Sequence, residues 1–309
     1  MKIAIIGAGA MGSLFGGRLA LAGQEVWLLD LLEPLVRTIQ AQGLSITTAD
    51  GKVVTFPRAT TNPSEIGTVD LIIVFVKATA TRSAAQATIG LLGPDTAVLT
   101  LQNGYGNAEQ LAQLLGAERI IAGTTAQGAT LLAPGQVLHA GHGDTHIGEL
   151  SGGISPRLQR IAAVLSQAGM TTIAADNVPS LIWGKLVVNV GINALTGITG
   201  LKNGQLADYR ETRALVALAV QEAVAVAAAA GIELPYAAPL EKVLAIATAT
   251  APNTSSLLQD LQNCRPTEID AINGAIVREG ERLGVPTPVN QVLTLLIKTL
   301  EQITQESRR

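Results

Sequence analysis

The stretch Lys2-Ile-Ala-Ile-Ile-Gly-Ala-Gly-Ala-Met-Gly12 decides the architecture. Its apolar, isoleucine-rich start predicts a buried strand over Lys2–Ile6, and the apolar spacing after the glycines predicts a helix over Ala10–Ala22. G-x-G-x-x-G placed between a strand and a helix has a physical meaning. Gly7 permits the tight turn, Gly9 lets the backbone approach a bound group, and Gly12 lets helix and strand pack closely. The helix start offers unpaired N–H groups and a partial positive charge, which suits a pyrophosphate. Gly7, Ala8, Gly9, Ala10, Met11 and Gly12 are therefore candidate dinucleotide-binding residues.

Outward from that loop, short β-branched runs alternate with helical patterns. Strands are predicted at Glu25–Leu29, Val69–Val76, Ala97–Leu101 and Ile120–Thr124, with helices at Pro34–Gln42, Ala80–Leu91 and Ala108–Leu115. Strands apolar along their whole length read as a parallel sheet covered on both faces, a doubly wound (Rossmann-type) α/β domain. Leu44–Thr47 and Val53–Pro57 read as an inserted hairpin turned at Ala49-Asp-Gly51. Strand and turn character returns near Gly135–Gly148, before a helix at Pro156–Ala168 and a short strand at Thr171–Ala174. After about Asp176 the 3.6-residue period dominates, over Pro179–Leu195, Arg210–Ala230, Pro239–Thr250, Glu268–Leu283 and Pro288–Ser307. The division predicted is a dinucleotide-binding domain over 1–176 and an all-helical substrate and catalytic domain over 177–309.

Composition narrows the function. With 48% apolar and 15% charged residues, the 309-residue chain can bury a large core. A net charge of −3 argues against nucleic acid as a partner. One cysteine, Cys264, excludes a disulfide framework and fits a cytoplasmic protein. The apolar start is broken by Gly7, Gly9 and Gly12 before a signal core is complete. Gln221 and Glu222 interrupt the most apolar later stretch, Ala214–Leu234, so it reads as a core helix and no membrane is expected. That helix could pack a homodimer or a monomer core. His139, His142 and His146 read as surface histidines, and no metal is expected because hydride transfer needs none.

The residue that chooses the cofactor ends the second strand. Asp30 stands 18 residues beyond Gly12, where a carboxylate accepts hydrogen bonds from the ribose of NAD and repels the 2′-phosphate of NADP. Two unit charges about 4 Å apart cost on the order of 4 kcal/mol at an effective dielectric near 20. Asp30 thus favours NAD(H), unless it only caps the next helix. Lys77 and Asn103 follow apolar strands, at the carboxyl ends where open α/β sheets bind ligands. Asn103-Gly104 equally fits a plain turn.

Lys185, Asn189 and Asn193 recur at i, i+4 steps on an otherwise apolar helix, so they share one face. Burying a lysine and two amides needs polar partners, either a ligand or an interhelical network. Lys185 could bind a carboxylate or protonate a carbonyl oxygen. Ser256, Thr267 and Glu268 fit helix starts as caps and first-turn charges.

Taken together, Ile5–Gly12, Val76-Lys-Ala78, Leu101-Gln-Asn-Gly104, Trp183-Gly-Lys185 with Asn189 and Asn193, Ser255–Asp260, Thr267-Glu-Ile-Asp270 and Ile272-Asn-Gly274 resemble the ketopantoate reductases (2-dehydropantoate 2-reductases) over essentially the whole chain. The resemblance implies reduction of ketopantoate to pantoate, towards pantothenate, by a nicotinamide cofactor. It implies Lys185 as general acid and Glu268 as the carboxylate that engages the substrate hydroxyl and supports the lysine. Asn189, Asn193, Asn253 and Ser256 match substrate-binding positions, and Lys77 and Asn103 match contacts around cofactor and reacting centre. The best-known members use NADP(H) and carry a basic residue where this chain has Asp30-Leu31. That departure leaves a second enzyme in play, an NAD-dependent D-2-hydroxyacid dehydrogenase acting on branched or aromatic 2-keto acids. A dinucleotide-sensing regulator should lack both Lys185 and Glu268.

Overall fold

Lys2–Ile6 forms β1, buried from Ile3 onward and flanked on both sides within an eight-stranded sheet. α1 (Ala10–Leu21) leads to β2 (Glu25–Leu29), and α2 (Glu33–Gln42) leads into β3 (Leu44–Thr48), β4 (Gly51–Thr55) and β5 (Arg58–Thr60). β6 (Val69–Val74), α3 (Thr81–Thr88), β7 (Leu92–Thr100), α4 (Asn107–Leu115) and β8 (Ile120–Thr125) continue the alternation. β9 (Gly128–Ala133), β10 (Gln136–Gly141), β11 (Thr145–Glu149), α5 (Pro156–Gln167) and β12 (Thr172–Ala174) complete it. This computed structural model describes residues Met1–Glu306.

The large sheet runs β12-β11-β8-β7-β6-β1-β2-β5. From β8 to β5 every pairing is parallel, with Ile3 opposite Val26 on one side and Leu71 on the other. A wholly parallel sheet was the expectation, but β11 runs antiparallel to β8. The link between them is the β9–β10 hairpin rather than a crossover helix, and a parallel return needs such a crossover. The predicted hairpin exists as β3 and β4, and it joins β9 and β10 in a second sheet of order β4-β3-β10-β9. Leu14 of α1 packs against Ile46 and Val137 of that second sheet.

The chain divides into two units, Met1–Gln102 with Asn107–Val178, and Asn103–Gly106 with Pro179 onward. The second unit is helical: α6 (Val178–Thr199), α7 (Arg210–Ala229), α8 (Pro239–Ala249), α9 (Ser256–Gln262), α10 (Asn273–Leu283) and α11 (Pro288–Glu306). The predicted end of the last helix, Ser307, lies outside the described residues. A continuous helix from Glu268 was expected. Instead a single 3-10 turn spans Ile269–Ala271, and Ile272 (φ −108°, ψ −96°) breaks the path before α10.

α6 and α7 are long and apolar enough to cross a membrane by composition alone. α6 is mostly buried in the helical core, where Trp183, Val187 and Val190 meet Val216, Ala223 and Ile297, whereas α7 buries one stripe there and leaves Leu215 and Leu218 exposed. Glu222, the charge inside the most apolar stretch, accepts hydrogen bonds from the Val289 and Asn290 N–H groups at 2.8 and 2.9 Å, so it satisfies the start of α11. Asn290 donates to Ala219 O and accepts from Asn273, which donates to Val190 O of α6. This network joins four helices through buried amides.

Candidate active site

The glycine loop is shaped by close approach. A Cβ on Gly12 would lie 1.8 Å from the Gly7 carbonyl oxygen, and Gly7 itself takes φ +94°. Neither position accepts a side chain without rebuilding the turn. Gly9 caps α1 with no side-chain hydrogen bond, and a Cβ there would meet nothing within 4 Å. Open space in front of uncapped helix N–H groups fits a dinucleotide pyrophosphate.

Asp30 follows β2 and bridges two backbone amides. Its Oδ2 accepts from Ala8 N–H of the loop at 2.7 Å and its Oδ1 from Leu32 N–H at 2.9 Å. The cap of α2 is Leu32, with no side-chain hydrogen bond, so Asp30 does not act as the helix cap. Leu31 beside it is 88% exposed, an apolar surface at the loop's edge. Glu33 and Arg37 pair with each other at 2.6 Å, which neutralises the charge next to Asp30. Lys77 stands exposed just past β6, as the residue preceding the 3-10 turn Ala78–Ala80.

In the helical unit, α6 places Lys185, Asn189 and Asn193 along one face, with Asn193 buried. Other faces of the helix meet apolar neighbours: a Cβ on Gly191 would touch Val243 and Val220, and one on Gly197 would touch Leu257 and Ile297. Burial pulls the Lys185 pKa down to about 8, against the Glu268 carboxylate, which raises it. Glu268 is itself buried, and Asn103 Nδ2 donates to its Oε2 at 3.4 Å. The sequence places Asn103 with the strand ends. The structure groups it instead with the helical unit, in the segment Asn103–Gly106. Tyr105 N–H donates to Ala271 O at 2.8 Å, and the Tyr105 ring packs 5.1 Å from Trp183. Gly104 (φ +86°) makes this docking possible, since a Cβ would lie 2.4 Å from Ala271 O. Lys185, Glu268 and Asn103 thus form one charged and hydrogen-bonding group.

Ser256 is exposed as the first residue of α9, but the cap is Ser255, which accepts from Leu258 N–H. Ser255 also bonds Thr196 of α6 at 2.7 Å. Sequence reasoning missed both supporting residues, although Thr196 is three residues beyond Asn193 on the same helix. Asn253 is exposed in the turn before α9, where its carbonyl accepts from Asn203 N–H. Thr267 Oγ1 accepts from Ile269 N–H, so its capping reading fits the 3-10 turn rather than an α-helix.

Of the three histidines only His139 departs from a surface reading; His142 is exposed and His146 partly so. His139 is buried, 3.9 Å from the His142 ring, with Nε2 bonded to Gln127 and Nδ1 near Arg18. Burial, then His142 and Arg18, hold its pKa below the usual value. Among the described residues no three His, Cys, Asp or Glu side chains converge as a metal site would require.

The comparisons agree with this geometry. Residues 3–152 match the family model described as ketopantoate reductase PanE/ApbA, and residues 177–301 match its C-terminal counterpart. A 2-dehydropantoate 2-reductase of Halobacterium salinarum is 36% identical over 98% of this chain and 99% of its own. A PanE/ApbA family ketopantoate reductase of Ralstonia eutropha superposes with a TM-score of 0.92 at 36% identity, covering 99% of this chain and 100% of that one. D-mandelate dehydrogenase, solved with NADH and anilino(oxo)acetate, also superposes with a TM-score of 0.92, at 34% identity over 99% of both chains. A glycine loop with an open helix start and a Lys185–Glu268 pair on the helical unit, together with these matches along both units, show that the chain belongs to the ketopantoate reductase PanE/ApbA family.

Proposed function

We propose that this protein reduces 2-dehydropantoate to pantoate, with Lys185 as general acid. The observation that carries this reading is Lys185 itself: a partly buried amine, its pKa drawn down to about 8 by desolvation, beside the buried Glu268 carboxylate. When bound, the dihydronicotinamide supplies a hydride to the keto carbon. Lys185 gives the accompanying proton to the carbonyl oxygen, so the product is the alcohol and the amine is left neutral. Glu268 holds the lysine charge in place and accepts a hydrogen bond from the substrate hydroxyl, with Asn103 keeping that carboxylate oriented. Asn189, Asn193, Asn253 and Ser256 supply donors for the substrate's carboxylate and hydroxyl. Gly7–Gly12 would hold the pyrophosphate, Asp30 the adenosine ribose and Lys77 the outer part of the cofactor. Asp30 favours NADH, because its carboxylate stays at the loop while bonded to two backbone amides.

A second reading is favoured by one observation. Asp30 and the likeness to an NADH-bound D-mandelate dehydrogenase support an NADH-dependent enzyme that reduces a bulkier 2-keto acid.

A general acid near pKa 8 predicts the pH profile. Reduction needs the ammonium, so kcat/KM for keto-acid reduction should fall tenfold per pH unit above about 8. Oxidation of the hydroxy acid needs the neutral amine, so its kcat/KM should rise through the same pH. Initial rates in both directions from pH 6 to 10 check this. Profiles that change in the same direction, or that show no break near 8, would remove Lys185 from proton transfer.

A further inference from the structure

Glu268 stands on an irregular segment. Its own backbone (φ −101°, ψ 23°) lies outside the helical region, between the end of α9 and the 3-10 turn Ile269–Ala271. No helix therefore dictates where its carboxylate points. Neighbouring contacts must do so, and one of them comes from a residue far along the chain. Thr267 N–H, immediately before Glu268, donates to Glu301 Oε1 at 2.6 Å.

Glu301 belongs to α11. The buried stripe of that helix runs Asn290, Leu293, Thr294, Ile297, and Glu301 is the next position on it. A carboxylate on a core-facing stripe is unfavourable unless it is hydrogen-bonded, and the Thr267 amide supplies that bond. A bond from an amide to a charged carboxylate is shorter and roughly twice as strong as a neutral one. One turn earlier on α11, Lys298 pairs with Asp270 at 2.7 Å, on the other side of Glu268. That pair is about half-exposed at both ends and adds little. The Glu301 contact is the partly buried one.

We propose that Glu301 is a positioning residue: by fixing the Thr267 amide it holds the Glu268 carboxylate against Lys185. This rests on the proposed function for its catalytic meaning, but its direct consequence does not. Glu268 raises the Lys185 pKa, so letting Glu268 drift must lower it. In Glu301→Gln the amide oxygen still accepts from Thr267. In Glu301→Asp the carboxylate is withdrawn by one methylene, and in Glu301→Ala the acceptor is gone.

Competitive labelling of Lys185 with an amine-selective reagent across pH 6–11, read by mass spectrometry, gives its titration midpoint without substrate. The expected midpoints are about 8 for the native chain and Glu301→Gln, and lower by half a unit or more for Glu301→Asp and Glu301→Ala. Keto-acid kcat/KM should fall at least tenfold in the last two and stay within threefold in Glu301→Gln, with NADH affinity unchanged throughout. If Glu301→Ala does not fold, Glu301→Asp carries the test. An unshifted Lys185 midpoint in Glu301→Asp overturns the proposal. A native midpoint near 8 without keto-acid turnover would overturn the proposed function and leave the positioning role standing.

Discussion

Lys185→Met should lower kcat for keto-acid reduction by about 10²- to 10⁴-fold, the usual contribution of a positioned general acid, while NADH affinity stays within a factor of two. The residues proposed to hold the pyrophosphate and the ribose, Gly7–Gly12 and Asp30, belong to the first unit and Lys185 to the second, so that proposed binding surface is left unaltered. The same variant should be more stable than the native chain. The folded pKa of Lys185, about 8, lies below the unfolded value near 10.4. Between those values the unfolded state binds more protons, so native stability rises with pH through the window from 8 to 10.4. Below pH 8 the full penalty of holding the charged amine is present, on the order of 3 kcal/mol for the difference between about 8 and 10.4. Met fills a similar volume without that charge. A higher Tm together with collapsed turnover would show that Lys185 is kept for chemistry. Native-like kcat in Lys185→Met would remove it as the acid.

Asp30→Asn should raise the ratio of kcat/KM for NADPH over that for NADH at least tenfold. The removed repulsion is on the order of 4 kcal/mol for charges about 4 Å apart at an effective dielectric near 20, and salt screening reduces what is observed. The geometry adds a second effect. Ala8 and Leu32 donate to separate oxygens of the carboxylate, and Asn keeps only one acceptor. NADH KM should therefore rise as NADPH use improves. Separate titrations with the two cofactors measure both changes, and an unchanged ratio would mean that Asp30 plays no part in the choice.

The parallel half of the fold was legible because local pattern and tertiary role coincide there. Lys2–Ile6 and Glu25–Leu29 are strands over the residues that the apolar runs mark. β9 was not legible: Gly128–Ala133 pairs through its backbone with β10 while exposing Leu131 and Leu132, so no buried alternation marks it. The antiparallel β11 follows from that unseen hairpin. In the site, the i, i+4 spacing revealed the Lys185 face because helical periodicity is a local property. The place of Glu268 was not readable from spacing, since it depends on contacts 165 residues away at Asn103 and 34 residues beyond Thr267 at Glu301. The cap at α9 was displaced by one residue, from Ser256 to Ser255, because two adjacent serines offer the same chemistry and only the bond to Thr196 separates them.

Substrate tests the central claim most directly. Oxidation of NADH and NADPH should be followed separately with ketopantoate and with branched and aromatic 2-keto acids that lack its hydroxyl. The account predicts that ketopantoate has the highest kcat/KM, with NADH the better reductant. Absence of turnover on ketopantoate with either cofactor would contradict it.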